Sequence, residues 1–560
     1  MFIRCKKKQN KNHSFNQSVQ LVESFRDGKT VRQKIIKHIG VAYNEQELAD
    51  LKALALSIKE KLETGVQPSL FSPEQLPAKE GNKTPDAPAF SDEDYQVDIR
   101  ELVEQGRVIK GIHDIYGALF DELDVAKTFK NPSNQKAKVN MFKQIVMARI
   151  ANPDSKRASV HALEEQFGVS LNLDKVYRMM DSIDDQAIAR LNEIAYSQTR
   201  QLFNNKIDVI FFDATTLYFE SFVEDEFKKN GYSKDLKFNQ PQVVLALMVT
   251  KEGLPIGYQA FSGDTFDGHT LLPALQQLRE KYDLDKVVYV ADSGMFNQQN
   301  LLQLEEQNFD YIVGARIKNL PNKLTEQVLD MRHYRQLNTT IKVARFEHKG
   351  RILVVTHSQK RARKDQADRD KGIAKLREKL ILKKSPKDYL SNQGYKKYLQ
   401  ITGECNGELT LNEEKIAQAS AWDGLKALII SKECQLSDAE ILEQYNNLWQ
   451  VEQSFRITKH DLKIRPVYHW KPARVKAHLA ISFAAYMLTR HLEYRVKLQY
   501  KKLSPAVIRS LLISVQTSIL SCDKKRIRYA IPSPIKLDAK KIYRLMGVET
   551  QTTPYILEKY

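Results

Sequence analysis

Cysteine is scarce in this sequence, and long hydrophobic runs are missing from it. The four cysteines among 560 residues include no CxxC pair, which argues against a disulfide framework and against a zinc site. No apolar run reaches the ~18 residues that span a bilayer, and the longest run, at 477–488, is predicted to be a buried helix. The basic N-terminus has no apolar stretch behind it, as a secretory signal would. A cytoplasmic protein with no membrane contact is expected.

Acidic residues are too few to balance the positive charge of the lysines and arginines. The chain has 87 Lys and Arg residues against 69 Asp and Glu, a formal net charge of +18. This balance favours a polyanionic partner, which in a cytoplasmic protein is usually nucleic acid. Residues 1–40 concentrate the charge, with ten Lys and Arg against Glu23 and Asp27, a net +8. The N-terminus is therefore a candidate DNA-binding module.

The first 200 residues divide by pattern into four parts. Two alternating runs joined at Asp27-Gly28 predict a β-hairpin, and apolar residues at helical spacing predict a helix at 44–63. Five prolines without periodicity make 64–95 a linker. From 96 to 200 the pattern is helical throughout, and 155–183 predicts helix, turn, helix. That pair is either a DNA-reading helix-turn-helix or two plain packed helices.

The next segment changes character. "KIDVIFFDATTLYFE" predicts a buried strand that carries Asp213, and "KVVYVADSGM" predicts a second one that ends on Asp292. Between them lie a hairpin turning at Lys251–Gly253 and an amphipathic helix at 269–282. This order predicts an α/β fold that opens an RNase H-like core, a mixed sheet with helices on both faces.

Residues 320–430 depart from that pattern. A hairpin turning at Lys349-Gly350, a heavily charged helix and a further strand indicate a β-rich insertion within the core. The predicted organisation is 1–63 basic hairpin plus helix, 64–95 linker, 96–200 helical DNA-binding domain, 201–320 first part of the core, 321–430 insertion, 431–500 second part of the core, and 501–560 basic C-terminal region.

One stretch after the insertion has an unusual stripe. In "YNNLWQVEQSFRITK", Tyr445, Glu452 and Lys459 recur every seven residues. Seven steps at about 100° return almost to the same helix face, so a single helix would place these side chains in one stripe with Arg456 beside it. A phenol, a carboxylate and an ammonium together indicate a chemical role.

Two strand aspartates and a helix glutamate form a candidate metal site. Asp213, Asp292 and Glu452 would repel one another unless a cation compensates them, and oxygen ligands suit Mg²⁺, with Mn²⁺ able to substitute. Taken singly, they have simpler explanations as a turn residue, a helix N-cap and a surface residue. Asp264, Asp267 and Glu220 are interpreted as structural, and Asp264 is also a competitor for the site.

These residues carry a family resemblance. "FFDATTLYFE", "VVYVADSGMFNQQNLLQLEEQNFDYIVGARIK" and the stripe resemble the DDE transposases of bacterial insertion sequences, in the IS-four-like superfamily with the signature Y-x2-R-x3-E-x6-K. Tyr445, Glu452 and Lys459 match the signature, and Leu448 stands at its Arg position. The resemblance implies cut-and-paste transposition with a hairpin intermediate, with Asp213, Asp292 and Glu452 as catalytic Mg²⁺ ligands.

The resemblance also implies which residues contact DNA. Tyr445 and Lys459 would contact phosphates near the scissile bond, and Arg465 lies in a further resembling segment, "RPVYHW". Trp449 or Trp422 would stack on a flipped base, unless each is a packed core aromatic. Because Leu448 cannot grip a phosphate as Arg does, Arg456 is the hypothetical substitute.

Three functions remain open at this point. The first is a transposase whose partners are the terminal inverted repeats and target DNA, acting as a homodimer in the synaptic complex. The second is an RNase H-like nuclease without strand transfer. The third is an inactive DNA-binding regulator, which the intact Asp/Asp/Glu set disfavours.

Overall fold

The structure is a computed structural model that describes most of the chain in two compact units. Described are residues 2–7, 17–27, 30–42, 90–203, 207–219, 223–231, 240–265, 288–292, 298–381, 394–402 and 408–560, with single helical positions between 45 and 56. The first unit comprises Met1–Ile207, Ala214–Phe266 and Gln450–Tyr560, and the second comprises Asp208–Asp213 and Asp267–Trp449. The predicted helix at 269–282 and the linker up to residue 89 lie outside the described residues.

The described elements are numbered here in chain order. The helices are α1 Asp92–Tyr95, α2 Gly111–Glu122, α3 Lys136–Ala151, α4 Lys156–Phe167, α5 Leu173–Asp181, α6 Asp185–Leu202, α7 Gln298–Glu306, α8 Asn322–Leu329, α9 Gln359–Ile381, α10 Glu413–Ser420, α11 Asp438–Asn446, α12 Trp449–Arg456, α13 Pro472–Gln499, α14 Pro505–Ile513 and α15 Leu537–Met546. The strands are β1 Phe2–Lys7, β2 Gln17–Asp27, β3 Thr30–Ala42, β4 Val103–Ile109, β5 Val209–Tyr218, β6 Gln242–Thr250, β7 Pro255–Ser262, β8 Val288–Ala291, β9 Asp310–Ala315, β10 Arg335–Asn338, β11 Ile341–His348, β12 Arg351–Ser358, β13 Leu399–Thr402, β14 Glu408–Leu411, β15 Leu425–Ile430, β16 Gln516–Cys522, β17 Ile527–Pro532 and β18 Tyr555–Lys559.

The N-terminal strands form an antiparallel sheet in the order β1-β2-β3. The pairing of β2 with β3 confirms the predicted hairpin. Alternation along β2 turns Val19 and Leu21 inward, where they cluster with Ile39 and pack against Leu498 of α13. The basic module is thus tied to the first unit by an apolar contact.

The helix-turn-helix prediction is confirmed as local structure. Ser155 caps α4 by accepting a hydrogen bond from the Ala158 N–H, and the helix ends at Gly168 with φ +66°. A Cβ at Gly168 would meet Val108 Cγ1 at 3.2 Å in addition to the strained φ. The turn therefore requires glycine, while the DNA-reading role of the pair stays a prediction.

The prediction that 96–200 is helical throughout is wrong. Val103–Ile109 forms β4, which pairs with β16 in a sheet of order β18-β17-β16-β4. The partner strand lies some four hundred residues later in the chain, so no local pattern announces it. The C-terminal region, predicted only as basic, supplies the other three strands.

The second unit contains the sheet that positions the candidate site. Its strands run in the order β10-β11-β12-β15-β9-β8-β5. β5, β8 and β9 are parallel, and β15, β12, β11 and β10 continue antiparallel. β8 is buried along its whole length, as apolar runs covered on both faces are. The strands predicted for the insertion therefore extend the core sheet.

Both predicted hairpins with charged turns are present. β6 and β7 pair around a turn with Gly253 at φ +77°, and β11 and β12 pair around Lys349-Gly350, with φ values of +53° and +76°. The predicted buried helix at 477–488 is the middle of α13, whose side chains there are almost all inaccessible. Within the described ranges, no helix combines the length and the hydropathy that crossing a membrane requires.

Candidate active site

Asp213 and Asp292 occupy equivalent positions on neighbouring parallel strands. Phe211 of β5 is paired with Val290 of β8, and each aspartate lies two residues beyond its member of that pair. Side chains two residues apart share a face, so both carboxylates project from the same row of the sheet. Asp213 is half-buried within β5, and Asp292 is exposed just past the end of β8. The predicted placement on neighbouring strands is confirmed.

Tyr445 reaches this row from α11. Its Oη donates a hydrogen bond of 3.3 Å to Asp292 Oδ1. The helix begins where a capping box closes between Ser437 and Glu440. The buried carboxylate of Asp438 then accepts charged hydrogen bonds from guanidinium groups on β10 and β11. The start of α11 is therefore fixed to the sheet, and Tyr445 is held against Asp292.

The prediction of one helix through Tyr445, Glu452 and Lys459 is wrong. α11 ends at Asn446, α12 begins at Trp449, and Lys459 lies in a π-helical turn, Ile457–Asp461. Leu448 is buried between the first two segments, 8% exposed. Burial of an apolar side chain at the junction favours the interruption, which periodicity alone did not reveal.

Lys426 joins the same face from β15. Ala291 of β8 pairs with Val313 of β9, and Gly314, the residue after Val313, pairs with Leu428 of β15. Asp292, the residue after Ala291, therefore lies in the same row as Gly314 and Leu428. Lys426 lies two residues from Leu428 and hence on its face. The Nζ atom is 4.3 Å from the centroid of the Tyr445 ring. Burial lowers the pKa of this ammonium, Arg361 lowers it further, and Asp292 acts in the opposite direction.

Lys426 also lines a cavity of about 560 Å³ in the second unit. The walls include the side chains of Trp422, Tyr395 and Tyr398, together with five basic and three acidic residues. Trp422 packs against the apolar cluster beneath the insertion strands. Trp422 is thus a partly buried aromatic that packs against this cluster and also lines the cavity.

Glu452 and Arg456 share the exposed face of α12 in the first unit. They are four residues apart and both exposed, while Val451, Ser454 and Phe455 are buried. The predicted common face of the two charged residues is confirmed. Trp449, in contrast, is 46% exposed at the start of the helix, so its interpretation as a packed core aromatic is wrong.

The backbone that follows Lys459 is held by buried basic groups. Arg149 donates to the Lys463 carbonyl at 3.1 Å, and His478 Nε2 donates to the Ile464 carbonyl at 3.0 Å. Lys156 Nζ lies 3.3 Å from His478 Nδ1. Burial lowers the pKa of Lys156 and of His478 well below their usual values. Three helices thus fix the position at which the Lys459 segment ends.

The remaining predicted site residues fall in the first unit. The Arg465 guanidinium lies 4.1 Å from the centroid of the Tyr218 ring, a cation–π arrangement. Asp264, the competing carboxylate, is ion-paired with Lys229 at 3.0 Å, which supports a structural role. Glu220 and Asp267 lie outside the described residues.

The donor chemistry of the aspartate row suits a hard divalent cation. Asp213 and Asp292 offer oxygen ligands only, as Mg²⁺ and Mn²⁺ prefer. In the part of the chain that the structure describes, no group of three or more His, Cys, Asp or Glu side chains is arranged to hold a metal ion. Two of the three predicted carboxylates are thus side by side in the second unit, and Glu452 belongs to the first.

Sequence reasoning missed Lys426 and Arg361 in the second unit and a set of buried basic residues in the first unit. Lys426 is a single charge in the apolar run "GLKALII", a signal that was available. Arg361 lies in a helix so rich in charge that nothing distinguishes it. For Arg149, Lys156 and His478 no local signal exists, because their burial depends on α3, α4 and α13 coming together.

Two parts of the chain are similar in sequence to known transposase families. The family model "Transposase DDE domain" matches residues 204–488, and the model "IS1634 family transposase, N-terminal domain" matches residues 3–69. No curated protein matches the chain. A solved structure described as "Mos1 transposase paired-end complex with left transposon end" is similar at 12% identity and a TM-score of 0.14, covering 47% of this chain and 66%, just under two thirds, of that chain.

Proposed function

Because the chain belongs to the family of bacterial insertion-sequence DDE transposases, we propose that it binds the terminal inverted repeats of its element and catalyses metal-dependent DNA cleavage and strand transfer. The mode would be cut and paste with a hairpin end, carried out by a homodimer on DNA. The observation that carries the proposal is the pair Asp213 and Asp292 at equivalent positions of adjacent parallel strands. The net charge of +18 supports a polyanionic substrate.

Each candidate residue has its own role in the proposed reaction. Asp213, Asp292 and Glu452 would hold the divalent ion, which would activate the attacking hydroxyl and stabilise the leaving oxygen. Tyr445 orients the Asp292 carboxylate through its hydrogen bond. Lys459 contributes a positive charge to the phosphates near the scissile bond. The N-terminal sheet and the α4–α5 pair bind the repeats.

The test is a nicking and strand-transfer assay on a labelled duplex of the element end, with Mg²⁺, Mn²⁺ or EDTA. Asp213→Asn, Asp292→Asn and Glu452→Gln should each abolish both reactions, because each removes a ligand charge. DNA binding should be kept or slightly strengthened, since repulsion from the phosphates falls. EDTA should stop the parent protein.

Asp264→Asn is the matched control, because Asp264 is half-exposed and already paired with Lys229. It should cut nearly as the parent does. Activity in Asp213→Asn together with its loss in Asp264→Asn would show that the first ligand is assigned wrongly. Nicking without strand transfer by the parent would favour the simple nuclease.

A further inference from the structure

An ammonium group stands beside the candidate catalytic row without belonging to the family's motif. Lys426 Nζ lies over the Tyr445 ring at 4.3 Å, and the hydroxyl of that ring donates to Asp292. The three side chains come from β15, α11 and the end of β8, so the sheet itself fixes their arrangement. A cation held this close to a metal-ligand candidate can face the same substrate group as the metal.

Lys426 is one of an excess of positive charges around the cavity. Five basic side chains line it, Arg316, Lys318, Arg361, Arg369 and Lys426, against three acidic ones, Asp365, Asp368 and Asp423. Arg369 pairs with Asp423 at 2.5 Å and Arg361 lies 3.6 Å from Asp365. Each pair cancels one charge of either sign, so the lining keeps an excess of two positive charges (five minus three). The lining as a whole therefore favours an anion.

The helix that carries Tyr445 supplies no cation of its own. α11, "DAEILEQYN", contains neither Lys nor Arg, and Leu448 beyond its end is buried. A half-buried ammonium group loses part of its hydration, and a bound anion compensates for that loss. A phosphate is the anion that the proposed substrate brings to this place.

We infer that Lys426, assisted by Arg361, binds a phosphate of the DNA strand beside Asp292 and supplies the positive charge that Leu448 does not. This inference rests on the proposed function for the identity of the ligand. The phosphate is a phosphodiester of the element end, within reach of the Asp292 carboxylate. Lys426 is thus a substrate-binding residue, and the predicted substitute Arg456 is not needed for this contact.

The experiment neutralises one DNA phosphate at a time. End duplexes carrying a single methylphosphonate at successive positions around the cleavage site are bound and nicked by the parent, Lys426→Ala, Lys426→Gln and Lys426→Arg. At one position the neutral phosphate should weaken DNA binding by the parent about tenfold. The same neutral phosphate should not further weaken DNA binding by Lys426→Ala or Lys426→Gln, because these variants already lack the contact. Lys426→Arg should regain the sensitivity. The slope of log affinity against log salt should fall by about one phosphate contact in Lys426→Ala.

Lys432→Ala is the control, because Lys432 is exposed and lies two residues beyond the end of β15. It should bind and nick as the parent does. Thermal unfolding of each variant separates a lost contact from a lost fold, and Lys426→Gln keeps most of the side-chain volume. Arg361→Ala should reduce the sensitivity at the same position.

Two outcomes would overturn the inference. One is that every methylphosphonate weakens DNA binding by Lys426→Ala and by the parent by equal factors. The other is that Arg456→Ala, and not Lys426→Ala, loses the response. The binding measurement tests the inference even if no cleavage occurs. Failure of the parent to nick would count against the proposed function alone. Equal binding responses in the parent and in Lys426→Ala would count against the role of Lys426 alone.

Discussion

At the scale of single residues, position 448 shows how burial changes the meaning of a motif. The resemblance places Arg there in the family signature, and Leu448 looked like a lost phosphate contact. The structure buries Leu448 where α11 gives way to α12. At that place an apolar side chain stabilises the junction through its burial, so the residue has a structural role of its own.

Leu448→Arg should therefore destabilise the protein without raising end cleavage. A guanidinium at a site that is 8% exposed loses hydration without a partner, at a cost of about 2 kcal/mol or more. Urea unfolding measures the loss, and the nicking assay measures activity. Leu448→Met, which conserves volume, should cost less than about 1.5 kcal/mol. An Arg variant as stable as the parent that nicks faster would show that this position faces DNA.

At the scale of elements, α13 is the buried helix around which the first unit packs. It carries His491, which is fully inaccessible and lies with Nε2 3.3 Å from Thr199 Oγ1. Burial lowers the pKa of His491 to about 3, with Arg495 and Arg490 lowering it further and Glu122 opposing them. Protonation therefore favours the unfolded chain.

The pH dependence of stability should reveal this histidine. Its contribution is complete above the unfolded pKa of about 6.5, declines as the pH falls below that value, and is lost as the pH approaches about 3. Between pH 7 and pH 5 the parent should lose about 2 kcal/mol more free energy of unfolding than His491→Gln. Urea unfolding at both pH values measures the difference.

His161→Gln is the control for that comparison, because its side chain is exposed and its loss removes no buried imidazole. It should follow the pH dependence of the parent. Equal slopes in the parent and in His491→Gln would mean that His491 titrates as an ordinary histidine.

At the scale of the whole molecule, the segment that follows the predicted linker and the C-terminal region belong to one structure. Phe90, Val97 and Leu102 pack against the core of the C-terminal sheet. Tyr529 Oη donates to the Asp94 carbonyl at 2.6 Å, and Lys559 pairs with the Asp94 carboxylate at 2.8 Å. The end of the predicted linker 64–95 is therefore part of the folded unit.

A truncation that tests recognition of the element ends should remove residues 1–89 and keep this contact. The shortened protein should lose its preference for the terminal repeats over random duplex, because the most basic segment is gone. Mobility shifts at several salt concentrations measure the preference and its electrostatic part. A truncated protein that still selects its repeats would place recognition elsewhere.

Removal of residues 1–95 is the matched comparison. It should bind DNA no differently from the 1–89 truncation but should unfold at a lower temperature, because Phe90 and Asp94 are then missing from the C-terminal sheet. Equal melting temperatures would show that this contact adds little to stability.

Much of the molecule was determined by local pattern. Apolar runs defined β5 and β8, and Gly-containing turns defined the hairpins, because strand burial and turn geometry depend on neighbouring residues. The motif residues defined the family, and the match to the DDE domain confirms the predicted RNase H-like α/β core. The pair Asp213 and Asp292 was also predictable, since parallel strands in a sheet bring their ends together.

Only the tertiary structure decided the rest. The pairing of β4 with β16, the interruption of the helix at Leu448 and the meeting of Lys426 with Tyr445 all depend on segments distant in sequence. The same is true of His491, whose low pKa follows mainly from its complete burial, with Arg495 and Arg490 of the same helix lowering it further. Burial and electrostatic environment are properties of surfaces brought together on folding. The pattern of residues along the sequence therefore does not predict them.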